Sequence, residues 1–335
     1  MHIPLKPLAD QIIVVTGATS GHGLSTARKA AAKGARVMLA ARDEGALRSI
    51  CTDIQDQGGA ADYVVVDVGS AEDVSRLASQ TISRFGGIDT WINNAGVGVY
   101  ATAIELDLED HRQVFETNYW GVVHGSVAAL KHFRDQNTAG SIINVGSING
   151  DMGTPLLSSY NASKHAVKGF TDSLRIEVIE AGWPVSVTLI KPSAIGTPFP
   201  EHGRNLTGFK ARLPRPMYSP EVVADAILDA ARHPRRSVTV GGAGKLQVLG
   251  ATIFPSVFDR LASLMRPTLI DRQKPVGLVA GSVYKPQGNN GRVEGDQKGR
   301  SFSTFTSVRR HQKIATTLML LALGGAAVTA RRVLR

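Results

Sequence analysis

The chain has 335 residues, 43% of them hydrophobic and 20% charged, which is the composition of a globular protein with a sizeable core. Its formal net charge of +10 lies mostly in the tail, because residues 280–335 contain ten Lys or Arg and two Asp or Glu and carry +8, which leaves +2 for residues 1–279. The main part of the chain therefore lacks the charge of a nucleic-acid-binding surface, and the single cysteine, Cys51, excludes an intrachain disulfide and fits a reducing compartment.

The first predicted elements are a strand, a glycine-rich turn and a helix. Residues 12–15 are a short apolar run typical of a strand buried on both faces, too short for the apolar part of a signal peptide. The turn TGATSGHG follows at 16–23, and LSTARKAAAKG then predicts a helix. Glycines permit a sharp turn and a close approach to a ligand, and a helix N-terminus attracts phosphate. The spacing differs from G-x-G-x-x-G, so the turn alone is weak evidence for a dinucleotide site.

The end of the second predicted strand, residues 36–41, bears on which cofactor the chain uses. An acidic residue there would bind the ribose hydroxyls of NAD and repel a 2′-phosphate. The strand ends instead at Ala41 and is followed by Arg42, which can pair with a phosphate, although Asp43 comes one residue later. An ordinary solvated arginine at a helix start is the alternative reading of Arg42. The pattern favours NADP(H) over NAD(H).

The rest of the main domain alternates strands with helices. Further strands are predicted at 63–66, 90–92, 141–145, 185–190 and 237–240, and helices at 71–85, 108–134, 162–181 and 220–233. Residues suited to ligand binding follow several of the strands, and these are Asp67, Val68, the run NNAG at 93–96, Ser147 and the loop at 191–199. The alternation predicts an α/β fold, a Rossmann-type doubly wound parallel sheet of about seven strands with helices on both faces, with the ligand at the carboxyl ends of the strands.

The stretch SINGDMGTPLLSSYNASK at 147–164 contains three residues suited to hydride-transfer chemistry. Tyr160 and Lys164 are four residues apart and share one face of a helix. A free tyrosine has a pKa near ~10, and a neighbouring cation lowers that pKa by favouring the phenolate. Ser147 could hydrogen-bond the oxygen of a carbonyl substrate. Tyr-x-x-x-Lys is common by itself, and a solvated pair on a surface helix is the alternative reading.

In this order and spacing, the motifs resemble those of the classical short-chain dehydrogenase/reductase family over residues 11–241. The matching features are TGATSGHG at 16–23, Asp67-Val68, NNAG at 93–96, Asn118, Ser147, YNASK at 160–164 and the segment 192–197. Two positions depart from the family pattern. His22 stands where the family usually has an apolar residue, and Ser193 where it usually has glycine.

The resemblance implies roles for four residues. Tyr160 would be the acid/base, Lys164 would lower its pKa and bind the nicotinamide ribose, Ser147 would orient the substrate oxygen, and Asn118 would hold a water in a proton relay. It implies cofactor contacts from Gly17, Thr19, Ser20, Gly21, His22, Gly23, Arg42, Asp67, Val68, Asn94, Ala95, Gly96, Tyr160, Lys164, Pro192, Ile195 and Thr197. It also implies no metal, and homodimers or homotetramers built partly through the helices that carry Asn118 and Lys164.

The region beyond the motifs bears on the substrate. Residues 200–220 predict a mobile lid, and the side chains Met152, Leu156, Leu157 and Phe199 predict an apolar pocket for a lipophilic alcohol or ketone. The catalytic domain is placed at residues 1–245. A helical extension is predicted at 246–279, which could extend the pocket, form a dimer contact or lie on a membrane surface.

The tail changes character twice. Residues 280–311 are rich in Gly, Asn, Ser and charge and predict a disordered linker. Within residues 312–335, the seventeen residues IATTLMLLALGGAAVTA at 314–330 are uncharged and flanked by basic residues. A bilayer span takes about 20 residues, so we expect a single C-terminal membrane anchor with the catalytic domain on the cytoplasmic side. An amphipathic or packing helix is the alternative.

Together these features predict an NADP(H)-dependent oxidoreductase that interconverts an alcohol and a ketone or aldehyde on a lipophilic substrate. Two alternatives stay open. A non-catalytic dinucleotide sensor predicts a damaged Tyr-Lys pair, whereas this chain has both residues. An epimerase or dehydratase of the family's extended branch predicts a different glycine spacing and a larger C-terminal substrate domain.

Overall fold

The computed structural model describes residues 3–287, 290–303 and 305–306, and a seven-stranded parallel sheet lies at its centre. The described strands, in chain order, are β1 (Ile12–Thr16), β2 (Arg36–Ala41), β3 (Ala60–Val65), β4 (Thr90–Asn93), β5 (Val99–Tyr100), β6 (Gly140–Val145), β7 (Val185–Pro192), β8 (Arg204–Asn205), β9 (Phe209–Ala211), β10 (Ser237–Val240) and β11 (Ile270–Pro275). The central sheet has the order β10-β7-β6-β4-β1-β2-β3. Its interior strands β1 and β6 are buried along their whole length because helices cover both faces.

Two helical layers enclose the sheet. The described helices are α1 (Gly21–Ala32), α2 (Glu44–Asp56), α3 (Ala71–Phe85), α4 (Leu108–Phe115), α5 (Gly121–Gln136), α6 (Ser158–Glu180), α7 (Phe199–His202), α8 (Pro220–Ala230), α9 (Gly242–Ile253), α10 (Pro255–Ser263) and α11 (Arg266–Leu269). Apolar residues of α1, α2 and α8 form one core cluster with the sheet. Residues of α3, α5 and α6 form a second cluster on the opposite face. This architecture confirms the predicted doubly wound fold, and it brings the polar strand ends to one edge.

Several boundaries differ from the predicted ones. Strand β3 begins three residues earlier than expected, and α6 begins at Ser158, so that it includes Tyr160. The single helix predicted over 108–134 is interrupted by one π-helical turn, Glu116–Trp120, which contains Asn118. Periodicity does not reveal such a turn, because the apolar pattern continues on either side of it. A π turn in a helix frequently marks a functional site.

The C-terminal third packs onto the sheet domain more closely than the sequence predicts. The lid region 200–220 contains β8 and β9, which pair with β5 and β11. The described residues of the predicted linker, 280–311, lie against the main domain, and Val283 is fully buried. The predicted membrane anchor at 314–330 lies outside the described residues. Within the described ranges, no helix is both long and apolar enough to cross a membrane.

Candidate active site

The glycine-rich turn between β1 and α1 forms the floor of a groove at the carboxyl edge of the sheet. Gly17 has φ +64°, and a Cβ at this position would lie 2.8 Å from the Cα of Ala95. A Cβ at Gly23 would lie 2.3 Å from the Gly17 carbonyl oxygen. Only glycine fits both positions, so the turn packs closely against the end of β4 and leaves the groove open above it. A cradle of this kind, opening at the start of α1, fits the phosphates of a dinucleotide.

Asn94 ties this turn to β4. Its side-chain amide donates hydrogen bonds to the carbonyl oxygens of Thr16 and Gly17, at 2.9 and 3.2 Å. Its side-chain oxygen therefore remains as an acceptor, and it lies 2.6 Å from Nδ1 of His22. This contact assigns the proton of the neutral imidazole to Nδ1 and leaves Nε2 as an acceptor. Burial lowers the pKa of His22 to about 4, against the opposing effect of the Asn94 hydrogen bond, so the ring is neutral near pH 7.

At the far rim of the groove, Arg42 is bound by a distant part of the chain. Its guanidinium donates to the carbonyl oxygens of Val283 and Tyr284, at 3.0 and 3.1 Å, and to that of Ser282. It is half-buried, and burial lowers its pKa while the charge of Asp67 acts in the opposite direction. The sequence gives no signal for these partners, because they lie about 240 residues away along the chain.

The π turn places Asn118 beneath the groove. Asn118 is fully buried, and its side-chain oxygen accepts a hydrogen bond from the backbone N–H of Val97, at 2.8 Å. Its amide donates to the Val97 carbonyl oxygen and to the hydroxyl of Ser163, both at 3.0 Å. The side chain thus fixes the loop after β4 against α6, the helix that carries Tyr160 and Lys164.

Ser147, Tyr160 and Lys164 meet at the other end of the groove. The Lys164 ammonium donates to the carbonyl oxygen of Val145, at 2.9 Å, and lies 5.6 Å from the centre of the Tyr160 ring. Burial raises the pKa of Tyr160 to about 12, and a hydrogen bond with Ser147 acts in the opposite direction. Burial also lowers the pKa of Lys164 to about 8. These directions differ from the expected lowering of the tyrosine pKa, because desolvation disfavours both the phenolate and the ammonium.

A mainly apolar cavity opens beside these three residues. Met152, Leu157 and Phe199 line it as predicted, and the Phe199 ring centre lies 5.2 Å from that of Tyr160. Leu156, also predicted, points elsewhere and packs in a cluster with Leu269 and Ile270. Further lining residues were not predicted from the sequence. They come from β5, the lid and the C-terminal helical region: Tyr100, Leu213, Pro214, Gln247, Met265 and Leu269. No local motif marks them, because only the packing of the C-terminal third brings them to the cavity.

The structure brings most of the predicted site residues to one continuous groove. The residues predicted to contact a cofactor that line its outer part are Gly17, Thr19, Ser20, Gly21, His22, Arg42, Asp67, Val68, Asn94, Ala95, Gly96 and Thr197. The inner cavity is lined by Ser147, Tyr160, Lys164, Pro192 and Ile195, and also by His22, Asn94, Gly96 and Thr197, which the two parts share. Two predicted residues, Gly23 and Asn118, line neither part and support the groove from behind.

Ser193, the second departure from the family pattern, also lines the cavity. Its hydroxyl is buried and has no hydrogen-bond partner among the described residues. A Cβ at Gly241 would lie 2.1 Å from this hydroxyl, and one at Gly244 would lie 2.6 Å from the Ser193 Cβ. The serine side chain therefore occupies space that two later glycines leave free.

Comparison with known proteins agrees with this geometry. The model of the short chain dehydrogenase family matches residues 11–205. The chain is 40% identical over 320 residues to uncharacterized oxidoreductase YxnA of Bacillus subtilis (strain 168), which covers 95% of this chain and 90% of that protein. It is 35% identical over 192 residues to 3beta-hydroxysteroid dehydrogenase 1 of Eggerthella lenta, covering 57% of this chain and 73% of that one.

A solved structure has the same fold. The crystal structure of a short chain dehydrogenase/reductase from Burkholderia phymatum in complex with NAD superposes with a TM-score of 0.69 at 26% identity. The match covers 76% of this chain and 96% of that chain.

Proposed function

Because the chain belongs to the short-chain dehydrogenase/reductase family and is an oxidoreductase acting on CH–OH groups, we propose that it uses NADP(H) to interconvert a lipophilic alcohol and its ketone or aldehyde. The observation that carries the proposal is the continuity of the two parts of the site. His22, Asn94, Gly96 and Thr197 line both the glycine-turn groove and the cavity that holds Tyr160. A dinucleotide in the groove would thus reach the tyrosine hydroxyl.

In this proposal the chain's own residues orient the substrate and handle its proton. A nicotinamide cofactor, when bound, supplies the hydride. Tyr160 donates a proton to the carbonyl oxygen during reduction, and Ser147 hydrogen-bonds the same oxygen. The Lys164 ammonium, held by the Val145 carbonyl oxygen, stabilises the negative charge that develops on Tyr160. The surrounding apolar side chains exclude water and strengthen these interactions.

The lining of the cavity supports a lipophilic substrate. Its walls include Met152, Leu157, Phe199, Met265 and Leu269. Apolar pockets with a few converging polar groups bind small molecules with similar character. One relative is named a 3beta-hydroxysteroid dehydrogenase, which is consistent with a bulky alicyclic alcohol or ketone as the substrate class.

An oxidation and reduction assay tests the proposed function. Purified protein is mixed with NADPH or NADH and a panel of alicyclic and long-chain ketones and aldehydes, and cofactor absorbance is followed. We expect turnover with NADPH, and a loss of about 10²–10⁴-fold in Tyr160→Phe, which keeps the ring but removes the proton donor. Full activity in Tyr160→Phe would contradict the proposed acid/base. Equal turnover with NADH and NADPH would contradict the cofactor preference.

We also propose that the protein forms a homodimer or homotetramer through α5 and α6. Helix α5 directly follows the turn that contains Asn118, and α6 carries Tyr160 and Lys164. Both helices expose large apolar side chains to water. These side chains are Val127, Ile176 and Ile179, and Trp120 is exposed directly before α5. Exposed apolar residues concentrated on one pair of helices favour a subunit interface.

We further propose that the C-terminal part binds a membrane, with the catalytic domain on the cytoplasmic side. The sequence contains the uncharged run at 314–330, and α9 and α10 expose Leu246, Leu249, Ile253, Phe254, Val257 and Leu261. A liposome co-sedimentation experiment tests this proposal. We expect the full chain to pellet with vesicles, and the double variant Leu246→Glu with Leu261→Glu to pellet less. Full-length protein that stays in the supernatant would contradict it.

A further inference from the structure

The C-terminal segment forms one wall of the outer groove. We call residues 281–287 and 290–303 the C-terminal strap. Ser282, Pro286 and Asn290 of the strap line the groove together with the glycine turn and Arg42. The family match ends at residue 205, so this wall lies outside the matched part of the chain. The contacts of this wall would therefore influence how the chain binds the adenosine half of a dinucleotide.

Two sets of contacts attach the strap to the glycine turn and to the start of α2. The Gly291 N–H donates to the Thr19 carbonyl oxygen at 2.8 Å, and the Gly21 N–H donates to the Arg292 carbonyl oxygen at 3.0 Å. The Asn290 amide donates to Asp43 at 2.5 Å. The other carboxylate oxygen of Asp43 accepts from the N–H of Ala46 at 3.0 Å. The acidic side chain next to Arg42 is thereby engaged by other donors.

The strap holds Arg42 by hydrogen bonds, and the charge of Asp67 acts on the guanidinium without forming a salt bridge within the described residues. The hydrogen-bond partners of Arg42 are the carbonyl oxygens of residues 282–284. A guanidinium has five N–H donors in a fixed planar arrangement. The three hydrogen bonds to the strap use both N–H groups on Nη1 and one on Nη2. One N–H on Nη2 and the N–H on Nε remain. This pair of donors and the positive charge of the guanidinium suit a phosphate oxygen.

The three carbonyl groups are fixed by an anchor of their own. Val283 is fully buried in a cluster of apolar residues near β5 and α4. The Tyr284 hydroxyl donates to Asp110 at 2.7 Å, and Asp110 also pairs with Arg204 at 3.1 Å. Asp110 is 1% exposed, so water has little access to its carboxylate and to the bonds that it makes with Tyr284 and Arg204. The anchor lies behind the strap and does not line the groove.

We propose that strap residues 282–284 are a positioning element that orients Arg42 toward the 2′-phosphate of NADP(H), so that the C-terminal strap determines cofactor choice. This inference rests on the proposed NADP(H)-dependent function and deepens it. The strap does not touch the reacting atoms. It acts by holding the guanidinium in the orientation that leaves two N–H donors free toward the ribose.

Binding titrations separate this role from a merely structural one. The dissociation constants of NADPH and NADH are measured on the full chain by fluorescence, without substrate. Tyr284→Phe removes the hydroxyl that bonds Asp110 and keeps the ring. We expect its dissociation constant for NADPH to rise about three- to tenfold, as for loss of one anchoring hydrogen bond, with the value for NADH unchanged. Tyr63→Phe is the matched control, since the Tyr63 hydroxyl contacts only Arg48 in the described structure.

Arg42 variants distinguish failure of the strap proposal from failure of the cofactor preference. We expect Arg42→Gln to weaken NADPH binding about 10- to 100-fold and NADH binding little. Arg42→Lys keeps the charge but cannot bond three carbonyl groups and a phosphate, so we expect an intermediate loss. If Arg42→Gln leaves NADPH binding intact, the cofactor preference itself fails. If Arg42→Gln weakens NADPH binding but Tyr284→Phe does not, the preference stands and the strap proposal is overturned.

Two further outcomes would also overturn the strap proposal. Equal weakening of NADPH and NADH binding by Tyr284→Phe would mean that the anchor serves only stability, and tighter NADPH binding would mean that the strap competes with the phosphate.

Hydrogen exchange gives a readout without mutation. We expect amides in residues 281–287 to exchange more slowly with NADPH than with NADH, and equal rates with the two cofactors would contradict the assigned role.

Discussion

At the scale of single residues, the site combines groups whose charged forms are disfavoured by burial. His22 shares its Nδ1 proton with Asn94, and it faces both the outer groove and the inner cavity. Lys164 lies behind the Tyr160 ring and donates to a backbone carbonyl oxygen. The charge of Lys164 further lowers the pKa of His22, and the neutral imidazole adds no second positive charge beside the ammonium. The pKa shifts of His22 and Lys164 therefore lead to separate pH effects.

The lowered pKa of His22 predicts that the fold loses stability as the pH falls. Its pKa is lowered from 6.5 to about 4, so the unfolded chain binds more protons between these values and stability falls as the pH falls through this window. Between pH 7 and pH 5, we expect the wild-type free energy of unfolding to drop by roughly 1–2 kcal/mol more than that of His22→Gln, whose amide can still bond Asn94. Urea unfolding at both pH values measures the difference. Parallel losses in the two proteins would contradict the shift.

The lowered pKa of Lys164 predicts that the reductase activity falls at alkaline pH. Its pKa is about 8, whereas that of Tyr160 is about 12, so the lysine loses its charge while the tyrosine is still protonated. The neutral amine no longer stabilises charge developing on the tyrosine oxygen. We expect kcat/KM for carbonyl reduction to fall about tenfold per pH unit above pH 8. A profile that stays flat from pH 7 to pH 10 would contradict this role for Lys164.

At the scale of elements, two irregular segments position the site. The glycine turn approaches the end of β4 so closely that no side chain fits at Gly17. The π turn in the long helix places Asn118 where it holds both backbone groups of Val97. In each case an irregular segment brings two parts of the backbone into contact, and a regular helix or strand at the same place would hold them apart.

A pair of glycine substitutions tests the role of the turn. Gly17 and Gly58 both have positive φ, of +64° and +81°, but only Gly17 has atoms within 4 Å of an added Cβ. Gly58→Ala should cost only the left-handed strain, about 1–2 kcal/mol, and leave cofactor binding intact. Gly17→Ala adds overpacking of about 1–3 kcal/mol and should abolish NADPH binding. Urea unfolding and a cofactor titration measure both effects, and equal behaviour of the two variants would refute the argument.

At the scale of the whole molecule, the apolar surface of α5 and α6 bears on assembly. Ile176 and Ile179 are 66% and 71% exposed in the single chain, which is unusual for large apolar residues on neighbouring turns of one helix. Burial of these residues against a second copy would remove the exposed area from water. The same helix carries Tyr160 and Lys164, so assembly would also support the candidate active site.

A double substitution on α6 tests the proposed oligomer. We expect Ile176→Glu with Ile179→Glu to convert the protein to a monomer, because two charges would be buried in the interface. Light scattering coupled to size exclusion should then give the chain mass of 35.6 kDa, and a multiple of it for the wild type. Ile104→Glu, at a residue that is 97% exposed, is the control and should leave the mass unchanged. An oligomer that survives the double substitution would rule out this surface.

The sequence by itself determined the central sheet and the composition of most of the candidate site. Strands β1, β2 and β6 are short, mainly apolar runs that hydrogen-bond on both edges and are buried on both faces, so the local pattern suffices to find them. Gly17, Ser147, Tyr160 and Lys164 stand at fixed spacings within single strand–turn–helix units, and such units place their residues in the same way wherever they fold.

Only the tertiary structure decided what surrounds these residues. Parts of the chain more than 100 residues apart meet at Arg42, around Val283 and where the C-terminal helices complete the inner cavity. No local periodicity records such contacts, because they depend on how the C-terminal third lies on the sheet. The pKa directions of Tyr160 and Lys164 have the same origin, since desolvation is a property of the completed core and not of a four-residue spacing.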